Sequence, residues 1–226
     1  MRATGVLLAA GASRRMGSHK ALLRTKGVSF AAHGVELLWS GCDSAVVVLG
    51  AHAARIRAAI EADLGRRAAK RASRAAAGRA RLEARLVTNR AWARGMFGSV
   101  RLGLRAALSF EPDAVLVLPV DHPAVEPNTV RTLVGTMREA LGAFGDRRAA
   151  AGFAYALVPR HRRRRGHPLA LSAALARAIV ADTGATDLSD AVRRHARLVG
   201  FLDVADPGIL LNLNTPAGRS KGPLRG

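Results

Sequence analysis

Only one of the 226 residues is a cysteine, Cys42, so no disulfide can close within the chain and no cysteine cluster can hold zinc. A reducing, cytoplasmic setting is the expectation. Aromatic residues make up 4% of the chain, which leaves few platforms for stacking single-stranded bases. The apolar run Val6-Leu7-Leu8-Ala9-Ala10 ends at Gly11, with Arg14 and Arg15 close behind. It is too short for a secretory core and far below the roughly 18 residues of a membrane span. Acids are sparse too: 16 Asp and Glu against 36 Lys and Arg give a net charge of +20. An excess of that size invites a nucleic-acid reading. The excess is local, however. Residues 66–85 hold eight basic residues and one acid, residues 160–165 hold five and none, and together they carry +12 of the +20. Nearly all are arginines interleaved with alanine, a pattern that a GC-rich coding sequence also produces.

What is present describes one globular domain with a core of ordinary size: 49% hydrophobic residues, 23 Gly and 9 Pro. Short apolar runs rich in β-branched residues predict strands at 5–10, 44–50, 85–88, 114–120, 149–159 and 198–204. Segments of helical spacing alternate with them at 29–41, 52–64, 98–108, 127–141, 172–181 and 187–195. Alternation of this kind means an α/β sandwich around a mostly parallel sheet. No internal repeat is visible, which excludes solenoids and propellers. A single domain is expected over 1–217, with an Arg/Ala-rich insertion at 66–85, a basic loop at 160–166 and a flexible tail at 218–226.

The chemistry concentrates after the first strand, in Leu8-Ala9-Ala10-Gly11-Ala12-Ser13-Arg14-Arg15-Met16-Gly17-Ser18-His19-Lys20. Ligands of open α/β sheets bind at the carboxyl ends of strands. Two glycines allow a tight turn that offers backbone N–H groups to an anion, while Ser13, Arg15 and Lys20 add donors and charge. Five residues separate Gly11 from Gly17, and Ala21 follows Lys20, so this is neither a Walker A loop nor G-x-G-x-x-G. A solvated glycine-rich turn is the alternative. No G-x-S-x-G elbow is present, and the histidines do not form a zinc-type cluster.

The pattern Leu8-Ala9-Ala10-Gly11-x-Ser13-x-Arg15-Met16-Gly17-x-x-Lys20 resembles the signature of the nucleotidyltransferases that include molybdenum cofactor cytidylyltransferase. The resemblance continues, in order, through Asn89…Gly95-Met96-x-x-Ser99, Leu118-Pro119-Val120-Asp121-His122-Pro123, Gly166-His167-Pro168 and Asn214-Thr215-Pro216, and so covers nearly the whole chain. It implies a Rossmann-like fold with helices on both faces of the sheet. It also implies a first loop that wraps an NTP, with Leu8, Ala9, Ala10, Gly11, Ser13, Arg15, Gly17, Lys20, Gly95 and Ser99 as nucleotide-binding positions. Asp121 matches the family's metal-binding Asp, and Asn214 matches a second polar position at the metal. The family often has acids around that second site where this chain has Asn212, Ala217 and Gly218.

Read from the residues alone, an Asp at the end of Val115-Leu116-Val117-Leu118 is well placed to share Mg²⁺ with phosphate oxygens. A turn or helix-capping Asp before Pro123 is the alternative, as a helix start is for Asn214 and a packed strand-end histidine for His167. The family reading gives Arg15, Lys20 and Asp121 catalytic roles, puts His167 on the acceptor side, and makes His122, where the family often has Gln, a structural neighbour. The implied reaction moves a nucleoside monophosphate to the phosphate of a small acceptor with loss of pyrophosphate. Ala10 resembles the cytidylyl form, so CTP is favoured over GTP. Molybdopterin is the implied acceptor, and a molybdenum hydroxylase the recipient of the product. Rival readings are transfer to a sugar phosphate or another phosphorylated metabolite, an interaction module whose Arg-rich segments dock on an acidic partner enzyme, which is compatible with catalysis, and a basic nucleic-acid binder on a degenerate scaffold. Retention of Arg15, Lys20 and Asp121 together argues against the last.

Overall fold

The computed structural model describes residues 1–12, 19–72, 83–143 and 152–212. Three strands form the centre: β1 (Ala3–Ala9), β4 (Ser44–Leu49) and β6 (Ala114–Pro119). They are buried on both faces almost throughout, which explains why they read as continuous apolar runs rather than alternating ones. β1 lies parallel between the other two, with Val6 opposite both Val46 and Val117. β5 (Glu83–Thr88) extends the sheet beyond β4 in parallel. On the far side of β6 come β9 (Leu169–Ser172), β7 (Tyr155–His161) and β10 (Leu198–Asp203), giving the order β10-β7-β9-β6-β1-β4-β5. Only β9 and the two-residue β8 (Arg164–Arg165) run against the rest. A small hairpin, β2 (Arg24–Thr25) and β3 (Val28–Ser29), stands apart.

Helices cover both faces. α1 (Phe30–Leu38), α2 (Ala53–Ala72) and α4 (Pro127–Gly142) pack Leu38, Ile56, Ile60, Leu133 and Met137 against Leu7 and Leu116. α3 (Met96–Leu108), α5 (Ala173–Ala181) and α6 (Leu188–His195) bury Leu104, Leu175, Ile179 and Val192 against Val6 and Val48 on the other. Local signals start them: Ser29, Ser172 and Asp187 accept the N–H three residues on, and Pro127 opens α4. Among the described residues no helix is long and apolar enough to cross a membrane.

The expected α/β fold is present, with corrections at four places. Leu169–Ser172 is a strand that the sequence reading assigned partly to a helix; its four residues are too few for periodicity to show. The strand expected from 149 begins at Tyr155 and passes through Pro159 to His161, while 144–151 lie outside the described residues. The basic loop at 160–166 is a β-hairpin, with Arg160 opposite Arg165 and His161 opposite Arg164. In the Arg/Ala-rich segment, α2 runs on to Ala72, because Ala, Arg and Lys are strong helix formers. Residues 73–82 and the tail 213–226 lie outside the described residues.

Arg66 and Arg67 are not idle surface charge. Arg66 and Arg24 donate to Asp63, whose side chain is 1% exposed and also accepts the Ser29 N–H at 2.8 Å. Arg67 binds Glu36 and the Lys26 carbonyl. These contacts fasten the β2–β3 hairpin to α1 and α2.

Candidate active site

The chain leaves the sheet centre in opposite directions after β1 and β6, and the crevice between their carboxyl ends is the switch point where ligands of such sheets bind. Leu8, Ala9 and Ala10 are buried; the Leu8 carbonyl accepts the Val120 N–H at 3.1 Å and the Ala10 carbonyl the Ala51 N–H at 3.0 Å. These bonds pin the root of the glycine loop to both flanking connections. Gly11 is exposed, does not have a left-handed φ, and has nothing within 4 Å of where a Cβ would stand. Neither its backbone nor the protein's packing demands glycine there, which fits a position kept open for a ligand. Ser13, Arg15, Met16 and Gly17 lie outside the described residues.

The loop returns at His19, whose ring sits 3.7 Å from that of His52 in the β4–α2 turn. Burial first, then His52 and Arg55, hold the His19 pKa below the usual imidazole value. This contact, invisible in the sequence, sets the far end of the loop against the neighbouring connection. Lys20 follows, and its Nζ lies 3.5 Å from Asp121 Oδ2, the two side chains 13% and 17% exposed. At that length the pair is an ion pair rather than a tight hydrogen bond. A cation and a carboxylate paired this loosely can part to give the cation to a phosphate and the carboxylate to a metal ion.

On the nucleotide side, Gly95 starts α3 with φ 127° and ψ 165°, a conformation open essentially to glycine alone. Ser99 is corrected in role: it is 2% exposed and its hydroxyl accepts the Asn89 amide at 2.9 Å. Asn89 in turn accepts the Ala91 N–H at 2.9 Å. The pair fixes the first turn of α3 to the end of β5. Met96, 68% exposed, stands at the same helix start.

On the other side, the His122 and His167 rings meet edge to face with centroids 4.7 Å apart. Burial, then the neighbouring His122, pushes His167 down to about 4, against the raising effects of Asp121 and a hydrogen bond to the Val117 carbonyl. His122 is also lowered, chiefly by burial, while Asp121 and the Ile209 carbonyl pull the other way. Both rings are therefore neutral near pH 7, and both Nδ1 atoms are buried without a partner among the described residues. His167 is thus packed against His122 at the strand end rather than open.

Asp206 holds this wall, and the sequence reading missed it. Its carboxylate accepts the Glu126 N–H at 2.8 Å, the Thr129 hydroxyl at 2.7 Å and the Gly208 N–H at 2.7 Å. The turn Pro207–Leu210 is thereby tied to the start of α4, and the Ile209 carbonyl is presented to the His167 N–H at 3.1 Å. Asn214 lies outside the described residues. Among the described residues no group of three or more His, Cys, Asp or Glu could hold a metal. One carboxylate at a strand end does fit Mg²⁺, which takes one or two protein oxygens and completes its shell with water and phosphate.

Comparison with known proteins agrees with this geometry. The chain is 35% identical over 208 residues to nicotine blue oxidoreductase of Paenarthrobacter nicotinovorans, covering 90% of this chain and 87% of that protein. Two solved structures share the fold at low identity. A nucleotidyl transferase from Methanothermobacter thermautotrophicus has TM-score 0.68 and 23% identity, over 97% of this chain and 94% of that one. Rv0371c from Mycobacterium tuberculosis has TM-score 0.67 and 22% identity, over 97% and 96%. Residues 5–198 match the MobA-like NTP transferase domain, and with the Rossmann-like sheet and the Lys20–Asp121 crevice in place, the chain belongs to that family of nucleotidyltransferases.

Proposed function

We propose that this enzyme moves CMP from CTP to the phosphate of a molybdopterin-type acceptor, releasing pyrophosphate, with Mg²⁺ as the metal. The observation that carries the reading is the Lys20–Asp121 pair across the switch point, 3.5 Å apart. An acceptor phosphate oxygen attacks the α-phosphorus, and the bond to the departing pyrophosphate breaks. Reactions of this type are accelerated mainly by positioning and charge stabilisation. Lys20 and Arg15 hold the phosphates, Gly11 and its neighbours give the backbone room to approach them, and Asp121, with Asn214 as the resemblance implies, would hold Mg²⁺. When bound, the ion neutralises phosphate charge and aligns the reacting oxygens. His167 and neutral His122 form the acceptor-side wall.

CTP is favoured over GTP because Leu8-Ala9-Ala10-Gly11 resembles the cytidylyl form of the loop. The test is pyrophosphate release with each NTP, with and without purified molybdopterin and Mg²⁺. Release that needs CTP, acceptor and metal together supports the reading. Release with a sugar phosphate in place of molybdopterin moves the acceptor; none with any pair removes transferase activity. A second reading is favoured by the 35% identical relative named as an oxidoreductase: the same crevice would seat a reduced nicotinamide dinucleotide. Consumption of NADH or NADPH with nicotine blue, and no pyrophosphate release, would establish that alternative.

A further inference from the structure

We propose that the β7–β8 hairpin is a docking site for a protein partner that presents an acidic surface beside the mouth of the crevice. Four observations converge on it. First, Arg162, Arg163, Arg164 and Arg165 are all exposed, and none makes an ion pair among the described residues. Arg160, below them, is already matched by Asp203 at 2.7 and 3.0 Å. Second, the two central turn residues are Arg162 at φ 49° and Arg163 at φ 66°. A two-residue turn with both φ values positive is the type that selects Asn-Gly. Arginines in that left-handed region are held against local preference, a departure of the kind found at functional positions.

Third, the hairpin stands at the working end of the sheet. β9 runs antiparallel to β6 with Leu169 opposite Val117, so the chain leading back through Pro168, His167 and Gly166 passes the end of β6 where Asp121 and His122 lie. The arginines therefore overhang the acceptor side of the crevice. Fourth, an exposed apolar side chain adjoins them on the outer edge strand, where Phe201 is 39% exposed and lies against Arg165.

The shape and charge select the occupant. The guanidinium groups ring a convex tip, which cannot enclose and desolvate a small anion as a pocket does. The Phe201 ring is already engaged by the Arg160 and Arg165 guanidinium groups at 4.8 and 5.0 Å, so it is not a free platform for a base. A second copy of a chain of net charge +20 is repelled. An acidic protein surface that pairs its carboxylates with these arginines and covers the exposed edge of Phe201 satisfies every feature, and a partner docked there would sit where product leaves.

The test compares two variants of the full chain with equal loss of charge. One is Arg162→Asn, Arg163→Gly and Arg164→Gln, which leaves Arg165 on Phe201. The other is Arg105→Gln, Arg131→Gln and Arg138→Gln, three exposed arginines on α3 and α4. Binding of a fluorescein-labelled oligoglutamate peptide is followed by anisotropy at fixed ionic strength, with no nucleotide present, so the result does not depend on the transferase reading. The expected outcome is a roughly tenfold weaker affinity for the hairpin variant and little change for the control. The hairpin variant should also melt about 2 °C or more higher, since Asn-Gly relaxes the turn. Equal losses in both variants would mean diffuse charge and overturn the proposal. A DNA duplex bound more tightly than the peptide, through the same arginines, would overturn it in favour of nucleic acid. Displacement of the peptide by inorganic pyrophosphate from the wild type but not from the hairpin variant would overturn it in favour of a small anion.

Discussion

Single side chains divide here into those that reach into the crevice and those that hold it together. Lys20 and Asp121 are of the first kind, and each replaced by Ala should lower the rate of pyrophosphate release by roughly 10²-fold, the scale of losing one preorganised charge. Both variants should stay folded, because the pair spans the crevice loosely at 3.5 Å and neither side chain belongs to the apolar core on either face of the sheet; circular dichroism alongside the rate checks this. Asp63 is of the second kind. Burial pushes its pKa up, but the Ser29 N–H and hydroxyl and the Arg24 guanidinium outweigh that and hold it below the usual carboxylate value. A carboxyl lowered on folding adds stability above the ordinary range near pH 4, and loses it as pH falls through the lowered value. The wild type should therefore lose stability on acidification more steeply than Asp63→Asn, measured as urea midpoints from about pH 6 to pH 3. Parallel curves would sink the assignment. Lys20 and Asp121 were legible in the sequence because each sits in a local pattern. Asp63 and Asp206 were not. The Ser29–Asp63 contact joins positions 34 apart and the Glu126–Asp206 contact positions 80 apart, and nothing local marks either acid as a hub.

At the scale of elements, apolar runs placed β1, β4 and β6 well because strands buried on both faces carry the signal in composition alone. β9 escaped: Leu169-Ala170-Leu171-Ser172 merges into the apolar start of α5, and its reversed direction depends on partners far away in the chain. The arginine hairpin escaped because its turn uses none of the residues that announce such turns. The start of α3 is the element on which the nucleotide side rests. Gly95→Ala places a Cβ on a backbone at φ 127° and ψ 165°, which costs roughly 1–3 kcal/mol. Because nothing lies within 4 Å of that Cβ, the penalty comes from the backbone and not from a clash. The helix start should relax away from the crevice, so KM for the nucleotide should rise more than kcat falls, and the urea midpoint should drop. A variant with wild-type KM and stability would show that Gly95 is dispensable. The turn bearing Asp206 is the matching device on the acceptor wall. It couples α4 to the Ile209 carbonyl that His167 and His122 both use.

For the whole molecule, the two helical layers bury a core on each face of the sheet, so the crevice lies on a rigid floor. Nucleotide binding to such a scaffold should act as simple mass-action stabilisation. At a concentration of CTP about 100 times its dissociation constant, the gain is roughly 2.7 kcal/mol. For a domain of this size one kcal/mol moves the melting temperature by about 2–4 °C, which predicts a rise of about 5–11 °C. The rise should require Mg²⁺ if Asp121 shares the ion with the phosphates. In Asp121→Ala the Mg²⁺ requirement should shrink while a smaller, metal-independent rise from Lys20 and the glycine loop persists. Lys20→Ala should show the converse, a reduced rise that still depends on Mg²⁺. Melting curves for the three proteins with CTP, with GTP and without nucleotide, each with and without Mg²⁺, decide the matter without any acceptor. A rise with CTP larger than with GTP supports the cytidylyl assignment. Equal rises would move base selection away from Ala10, and no rise with any triphosphate, alongside one with a reduced nicotinamide dinucleotide, would transfer the crevice to the oxidoreductase reading.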